Sequence, residues 1–159
     1  PKETVQAMDR IILGAERTWQ ERRADRPIND NADNIDEVIA MAAMQAANRL
    51  SNVAAIIAMT ETGNTPRLMS RLRSGMPIYA FTPDPSSQRR VAILRGVYAM
   101  PFDSHALASD TVNRKAVSML EDMGVVQTGD RILITKGNYA DAHGGTNTLK
   151  IVEVGSNIQ

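Results

Sequence analysis

Cysteine is absent from this chain of 159 residues, and histidine and aromatic residues are few. Without cysteine there can be no disulfide and no thiolate chemistry, which suits a reducing compartment, so we predict a cytoplasmic protein. His105 and His143 lie about 38 residues apart, without carboxylate or cysteine ligands at metal-ligand spacing, and we expect no metal site. Arginines cluster locally, but no aromatic platform of the kind that single-strand binders use lies among them.

The chain also has no excess of charge of one sign. Eighteen basic residues balance eighteen acidic ones, so no overall positive field draws nucleic acid or an anionic membrane. Polar residues interrupt every apolar stretch well before the ~18 residues that a membrane-spanning helix needs. We therefore expect neither nucleic acid nor a membrane as a partner, and any anion that binds must be captured locally.

The apolar periodicity divides the chain into three parts. Residues 1–19 carry apolar side chains at helical spacing, which predicts an amphipathic helix that packs as a satellite. Residues 20–34 are polar, contain Pro27 and indicate a linker. From residue 35 a new helix is predicted, with Asn34 or Asp33 as its N-cap. Residues 35–159 then form an α/β domain.

Within that domain, short apolar runs alternate with helical segments. This pattern predicts a three-layer α/β/α fold with a five-stranded, mostly parallel sheet of order 3-2-1-4-5. The last connection is too short for a crossover helix, so the fifth strand should return antiparallel. The predicted strands are 54–59, 77–81, 97–102, 131–135 and 148–154, and the helices between them are 65–73, 87–94 and 109–123.

Two loops rich in glycine and threonine follow the first and fourth strands. They are Thr60–Thr65 and Gly144–Thr148. Ligands of doubly wound sheets bind where successive connections leave in opposite directions, and these two strands are the natural pair for that point. Exposed N–H groups, threonine hydroxyls and a helix start can surround a phosphate. Alternatively, the first loop is only a helix-capping turn.

Other candidates have simpler interpretations. Asp84 and Asp103 follow strand ends, but each precedes a turn, so we predict capping and turn roles. Arg67 and Lys136 could each supply one charge to an anion, although a solvated position is the commoner one for such residues.

Taken in order, several short motifs resemble the C-terminal domain of pyruvate kinase along nearly the whole chain. No single motif would suffice. The ordered set is Pro1–Val5 with Met8, Met59–Gly63, Ser70–Arg73, Pro77–Thr82, Leu94–Val97, Gly129–Asp130 and Gly145–Thr148.

This resemblance implies a parent enzyme that transfers a phosphoryl group from phosphoenolpyruvate to ADP in glycolysis, with Mg²⁺ and K⁺. In the family the catalytic groups belong to a barrel that would precede Pro1, so we expect no catalytic residue, no metal and no cofactor in this chain, and no kinase activity alone. We expect the chain to be a part of that enzyme. The alternative is a stand-alone protein of the same fold that binds a phosphorylated small ligand.

The resemblance also implies an effector site and a subunit interface in a tetramer. Glu61 and Asn64 stand where relatives that respond to fructose bisphosphate often carry Lys or Arg, and Tyr139–His143 replaces a Trp-Arg start. We therefore expect a sugar monophosphate or AMP as effector. The implied effector residues are Thr60, Glu61, Thr62, Gly63, Asn64, Thr65, Gly144, Gly145 and Thr146. The implied interface of a homodimer, through the edge strand, is Leu149, Ile151, Val152 and Val154.

Overall fold

The strands form a single mixed sheet. A computed structural model describes residues 2–23, 31–72, 74–137 and 145–156. Its strands are β1 (Val53–Met59), β2 (Ile78–Thr82), β3 (Val97–Pro101), β4 (Arg131–Lys136) and β5 (Thr148–Glu153). Their order is β3-β2-β1-β4-β5, parallel except for the antiparallel pair β4 and β5. The predicted fold class is confirmed.

Helices cover both faces of the sheet. The four that do so are α2 (Ile35–Arg49), α3 (Asn64–Leu72), α4 (Pro85–Val91) and α5 (Ser109–Asp122), and they are preceded by α1 (Lys2–Arg23). Alternate residues of β1 point to opposite faces, as the strand period requires. Ile56 and Ala58 pack with α2, α3 and α4, whereas Ala55 and Ile57 pack with α5. Two apolar layers therefore enclose the sheet.

The change of face between α4 and α5 creates a switch point. Up to β3 the chain moves outward from β1 with its helices on one face; after β3 it crosses by α5 on the other face and adds β4 to the opposite side of β1. The connections after β1 and β4 thus leave in opposite directions, which opens a crevice at the carboxyl ends of these two strands.

The first helix is longer than predicted. It runs to Arg23, four residues beyond the predicted end of the helix at residue 19, because Gln20–Arg23 are good helix formers and the next proline after Pro1 comes only at position 27. Residues 24–30 of the predicted linker lie outside the described residues. At the next helix, Asn34 is the N-cap, since its Oδ1 accepts the Glu37 N–H at 3.2 Å.

The apolar side chains of α1 are not covered by the rest of the described chain. Val5, Met8 and Ile12 are each more than half exposed, and a contact at 3.7 Å joins Glu16 to Arg95. Because α2, α3 and α4 close the sheet face on their side, the apolar face of α1 stays uncovered within the described residues, and its packing as a satellite remains a prediction. No helix in the described residues has the length and apolar character needed to cross a membrane.

Candidate functional site

The loop after β1 turns directly into α3. The Gly63 N–H donates to Thr60 Oγ1 at 2.9 Å, and the helix begins at the next residue, Asn64. The first N–H groups of a helix have no partner within it. Over the described ranges, the N–H groups of Thr62, Asn64 and Thr65 also make no hydrogen bond to another part of the protein. These are the donors that an anion at this helix start would meet.

Glycine at position 63 is required by the fold itself. Its φ is +81°, a conformation that side chains rarely adopt, and a Cβ would lie 2.7 Å from Cγ1 of Val91 on α4. The glycine therefore lets the loop rest against α4. For this residue the structural interpretation is sufficient, with or without a ligand.

The second loop meets the first through two threonines. Thr65 Oγ1 and Thr146 Oγ1 lie 2.6 Å apart, and the two residues are only 3% and 7% exposed. The second loop also lies close to Gly137, the residue after β4, where a Cβ would lie 2.6 Å from the carbonyl oxygen of Gly145. The predicted juxtaposition of the two loops is thus observed. Gly144 and the segment Tyr139–His143 lie outside the described residues.

Asn64 uses its side chain within the protein. Its Nδ2 donates to Asp36 Oδ2 at 2.7 Å, and its Oδ1 accepts from Arg67 Nη2 at 2.7 Å. Asp36 lies in the first turn of α2, so this pair of hydrogen bonds ties the loop to that helix. The second Nδ2 hydrogen and the main-chain N–H of Asn64 remain to meet a ligand, and the exposed Arg67 keeps its charge and its other N–H donors.

A third loop reaches the site from the end of β3. His105 Nε2 lies 3.1 Å from Glu61 Oε1, and both side chains are about half exposed. The main-chain N–H of His105 donates to Asp103 Oδ1 at 3.0 Å, which confirms the predicted turn role of Asp103. No local spacing in the sequence indicates the pair of Glu61 and His105, because 44 residues separate them.

Asp84 caps α4, as predicted. Its carboxylate accepts hydrogen bonds from the side chains and main-chain N–H groups of Ser86 and Ser87. These bonds, with the Ser86 hydroxyl first, hold the pKa of the Asp84 carboxyl well below its ordinary value of 3.8, since they stabilise the charged form. The carboxylate is thus a structural group.

The four predicted interface residues, which lie in the edge strand β5 and just after it, differ in burial. Val152 and Val154 are buried in the core beneath α5, at 7% and 1% exposure, so their prediction as interface residues is wrong for the side chains. The reason is the strand period, which turns these two residues to the core. Ile151 is 48% exposed and Leu149 is partly buried against the opposite core.

Metal ligands do not converge in the described part of the chain. No group of three or more His, Asp or Glu side chains there could hold a metal ion. The described residues therefore offer no cluster of carboxylates for the Mg²⁺ that the resemblance implies for a whole enzyme.

The fold and the joined loops define the class of the protein: a doubly wound α/β domain in which two polar loops meet at the switch point of the sheet. A family model described as pyruvate kinase, alpha/beta domain, matches residues 37–152. The chain belongs to the pyruvate kinase family, through this domain, and the resemblance inferred from its motifs is confirmed.

Individual relatives are similar over nearly the whole chain. Pyruvate kinase II of Salmonella typhimurium is 41% identical over 156 residues, which are 97% of this chain and 32% of that protein. The pyruvate kinase of Haemophilus influenzae is 35% identical over 96% of this chain and 32% of its own length. The chain thus spans about a third of the length of these curated relatives.

A solved structure shares the architecture. Cryptosporidium parvum pyruvate kinase in complex with ADP matches with a TM-score of 0.68 and 31% sequence identity. The match covers 78% of this chain and 24% of that one.

Two alanine substitutions separate the backbone requirement at Gly63 from its contact with α4. Gly63→Ala and Gly96→Ala both place a Cβ on a residue with positive φ, +81° and +70°, but only the first meets a neighbour. We expect both to lose about 1–2 kcal/mol of unfolding free energy from conformation. Gly63→Ala should lose about 1–3 kcal/mol more from overpacking against Val91. Urea unfolding measures both, and equal losses would mean that α4 moves aside without cost.

We predict that mutations of the buried hydroxyl pair Thr65 and Thr146 have non-additive effects on the free energy of unfolding. Thr65→Val or Thr146→Val alone leaves one buried hydroxyl without its partner, which should cost about 1–3 kcal/mol of unfolding free energy. The double variant removes both hydroxyls and should cost less than the sum of the two single losses. A complete cycle in urea checks this, and strictly additive losses would show that the two loops are not coupled by this bond.

Proposed function

We propose that this chain is the regulatory and subunit-interface domain of a pyruvate kinase and that its crevice binds a phosphorylated effector. The observation that carries the proposal is the buried bond between Thr65 and Thr146, which joins the two loops beside the start of α3. The free N–H groups of Thr62, Asn64 and Thr65, which meet no acceptor in the described ranges, provide the donors. A helix start adds a dipole that favours an anion.

The whole enzyme would transfer a phosphoryl group from phosphoenolpyruvate to ADP, with Mg²⁺ and K⁺ held by residues of its barrel. Phosphoryl transfer needs carboxylates that hold the metal and a cation that meets the developing charge. The described residues of this chain contain no such ligand group. We therefore propose that the chain alone is inactive and contributes regulation and assembly in the cytoplasm.

The charges around the loop favour an effector with one phosphate. Glu61 places a half-exposed carboxylate beside the loop, and Arg67 is hydrogen-bonded to Asn64. A second phosphate would be repelled by the Glu61 charge, and the single charge of Arg67 would offset only part of its own charge. We propose a sugar monophosphate, such as ribose 5-phosphate or glucose 6-phosphate, or AMP.

Calorimetric titration tests both the site and its preference. We expect saturable binding of at least one of ribose 5-phosphate, glucose 6-phosphate and AMP, and weaker binding of fructose 1,6-bisphosphate, because of Glu61. Unphosphorylated ribose should not bind. In ¹⁵N NMR spectra the shifted amides should lie at 60–65 and 145–148. Tightest binding of the bisphosphate would contradict the charge argument, and binding of none of them would contradict the effector site.

A matched pair of variants isolates the Glu61 charge. Glu61→Gln and Glu121→Gln each remove one exposed carboxylate, but Glu121 lies in α5, on the other face of the sheet. Glu61→Gln should tighten the bisphosphate about fivefold, as expected for unit charges about 4 Å apart in water. Glu121→Gln should leave its affinity unchanged.

The edge strand supports a dimer. Among the described strands β5 pairs with β4 and is the last strand of the sheet, and the Ile151 side chain on it is exposed. An edge strand with an exposed apolar side chain is suited to pairing with a second copy.

Sedimentation tests this assembly. We expect the wild-type chain to dimerise at high concentration and Ile151→Lys to weaken the dimer by tenfold or more, about 1.4 kcal/mol, because a charge would be buried. Ile93→Lys is the control, since Ile93 is 87% exposed near the end of α4. A strictly monomeric wild type, or equal effects of the two lysines, would contradict an interface at β5.

A further inference from the structure

The first turn of α4 contacts the loop after β1 through the side chain of Ser87. Ser87 is 1% exposed, and its Oγ lies 2.6 Å from the carbonyl oxygen of Glu61 and 2.9 Å from Asp84 Oδ2. One hydroxyl proton thus faces two acceptors, and the shorter distance is the one to the carbonyl. Thr82 Oγ1, also buried, approaches the same carbonyl at 3.5 Å.

This contact determines how one peptide group of the loop is oriented. In a planar trans peptide the C=O and the following N–H point in opposite directions. The Glu61 carbonyl is directed at Ser87, so the N–H of Thr62 must be directed away from α4. Thr62 is exposed, and within the described ranges its N–H makes no hydrogen bond to another part of the protein.

We propose that Ser87 is a positioning residue for the effector loop. Its hydroxyl holds the peptide between Glu61 and Thr62 so that the Thr62 N–H is presented to an anion. The proposal rests on the proposed function of the loop as a phosphate site. Ser87 itself touches no ligand and acts only through the loop.

The neighbouring serine provides a matched comparison. Ser86 and Ser87 both donate a main-chain hydrogen bond to Asp84, and the Ser86 hydroxyl donates to it as well, whereas the single hydroxyl proton of Ser87 is shared between Asp84 and the Glu61 carbonyl. Loss of either hydroxyl therefore weakens the helix cap. Only the loss at position 87 also releases the loop.

The test compares Ser87→Ala with Ser86→Ala in the 159-residue chain, with ribose 5-phosphate and inorganic phosphate as probes. We expect Ser87→Ala to weaken both probes about fivefold to tenfold, and Ser86→Ala to weaken them less than about twofold. Without any ligand, Ser87→Ala should move the ¹³C resonance of the Glu61 carbonyl and the amide resonance of Thr62, whereas Ser86→Ala should leave both nearly in place. Ser87→Cys, which keeps the size but donates weakly, should fall between wild type and Ser87→Ala and serves if the alanine variant does not fold.

The two readouts separate this inference from the proposed function. If the wild type binds neither probe, the effector site is wrong, but the carbonyl and amide resonances still decide whether Ser87 holds the peptide. If Ser87→Ala leaves those resonances and both affinities unchanged, or if the two serine variants behave alike, the positioning role is overturned.

Discussion

The buried hydrogen bond between Thr65 and Thr146 is the interaction on which the crevice depends. The strand order places the ends of β1 and β4 side by side, but neighbouring strands alone do not bring the loops beyond them into contact. The two hydroxyls do, at 2.6 Å and away from water. Because a buried hydroxyl without a partner is costly, each loop restricts the position of the other.

The loop after β1 is held by three further contacts, two from α4 and one from α2. Gly63 rests against Val91 on α4, Ser87 binds the Glu61 carbonyl, and Asp36 on α2 binds Asn64. Several polar groups that the sequence suggests as ligand donors are therefore occupied within the protein. What remains in the described loop is the set of main-chain N–H groups at the start of α3 together with the hydroxyls of Thr60 and Thr62, which are donors of the kind that an anion site needs.

Much of the fold could be predicted from the sequence, because β-branched runs and helical periods are local signals. The strand order also predicted that the two loops lie at the same edge of the sheet. The partners Asp36, Ser87 and His105 could not be found in this way, since each lies 26 to 44 residues from its contact in the loop. Likewise, the division of β5 into buried Val152 and exposed Ile151 needed the position of α5, because the strand is apolar on both faces.

The contacts that hold the loop after β1 also affect how an effector would bind. A loop that is already held by Thr146, Ser87 and Asp36 loses little conformational freedom when a ligand arrives, so few contacts can give a useful affinity. The chain has no net positive charge to add long-range attraction, and Glu61 sets a carboxylate beside the loop. Orientation of neutral N–H groups is then the main source of affinity at the proposed site, and recognition depends on where those groups point. Residues that hold the loop in place therefore matter as much to the proposed site as residues that would touch the ligand.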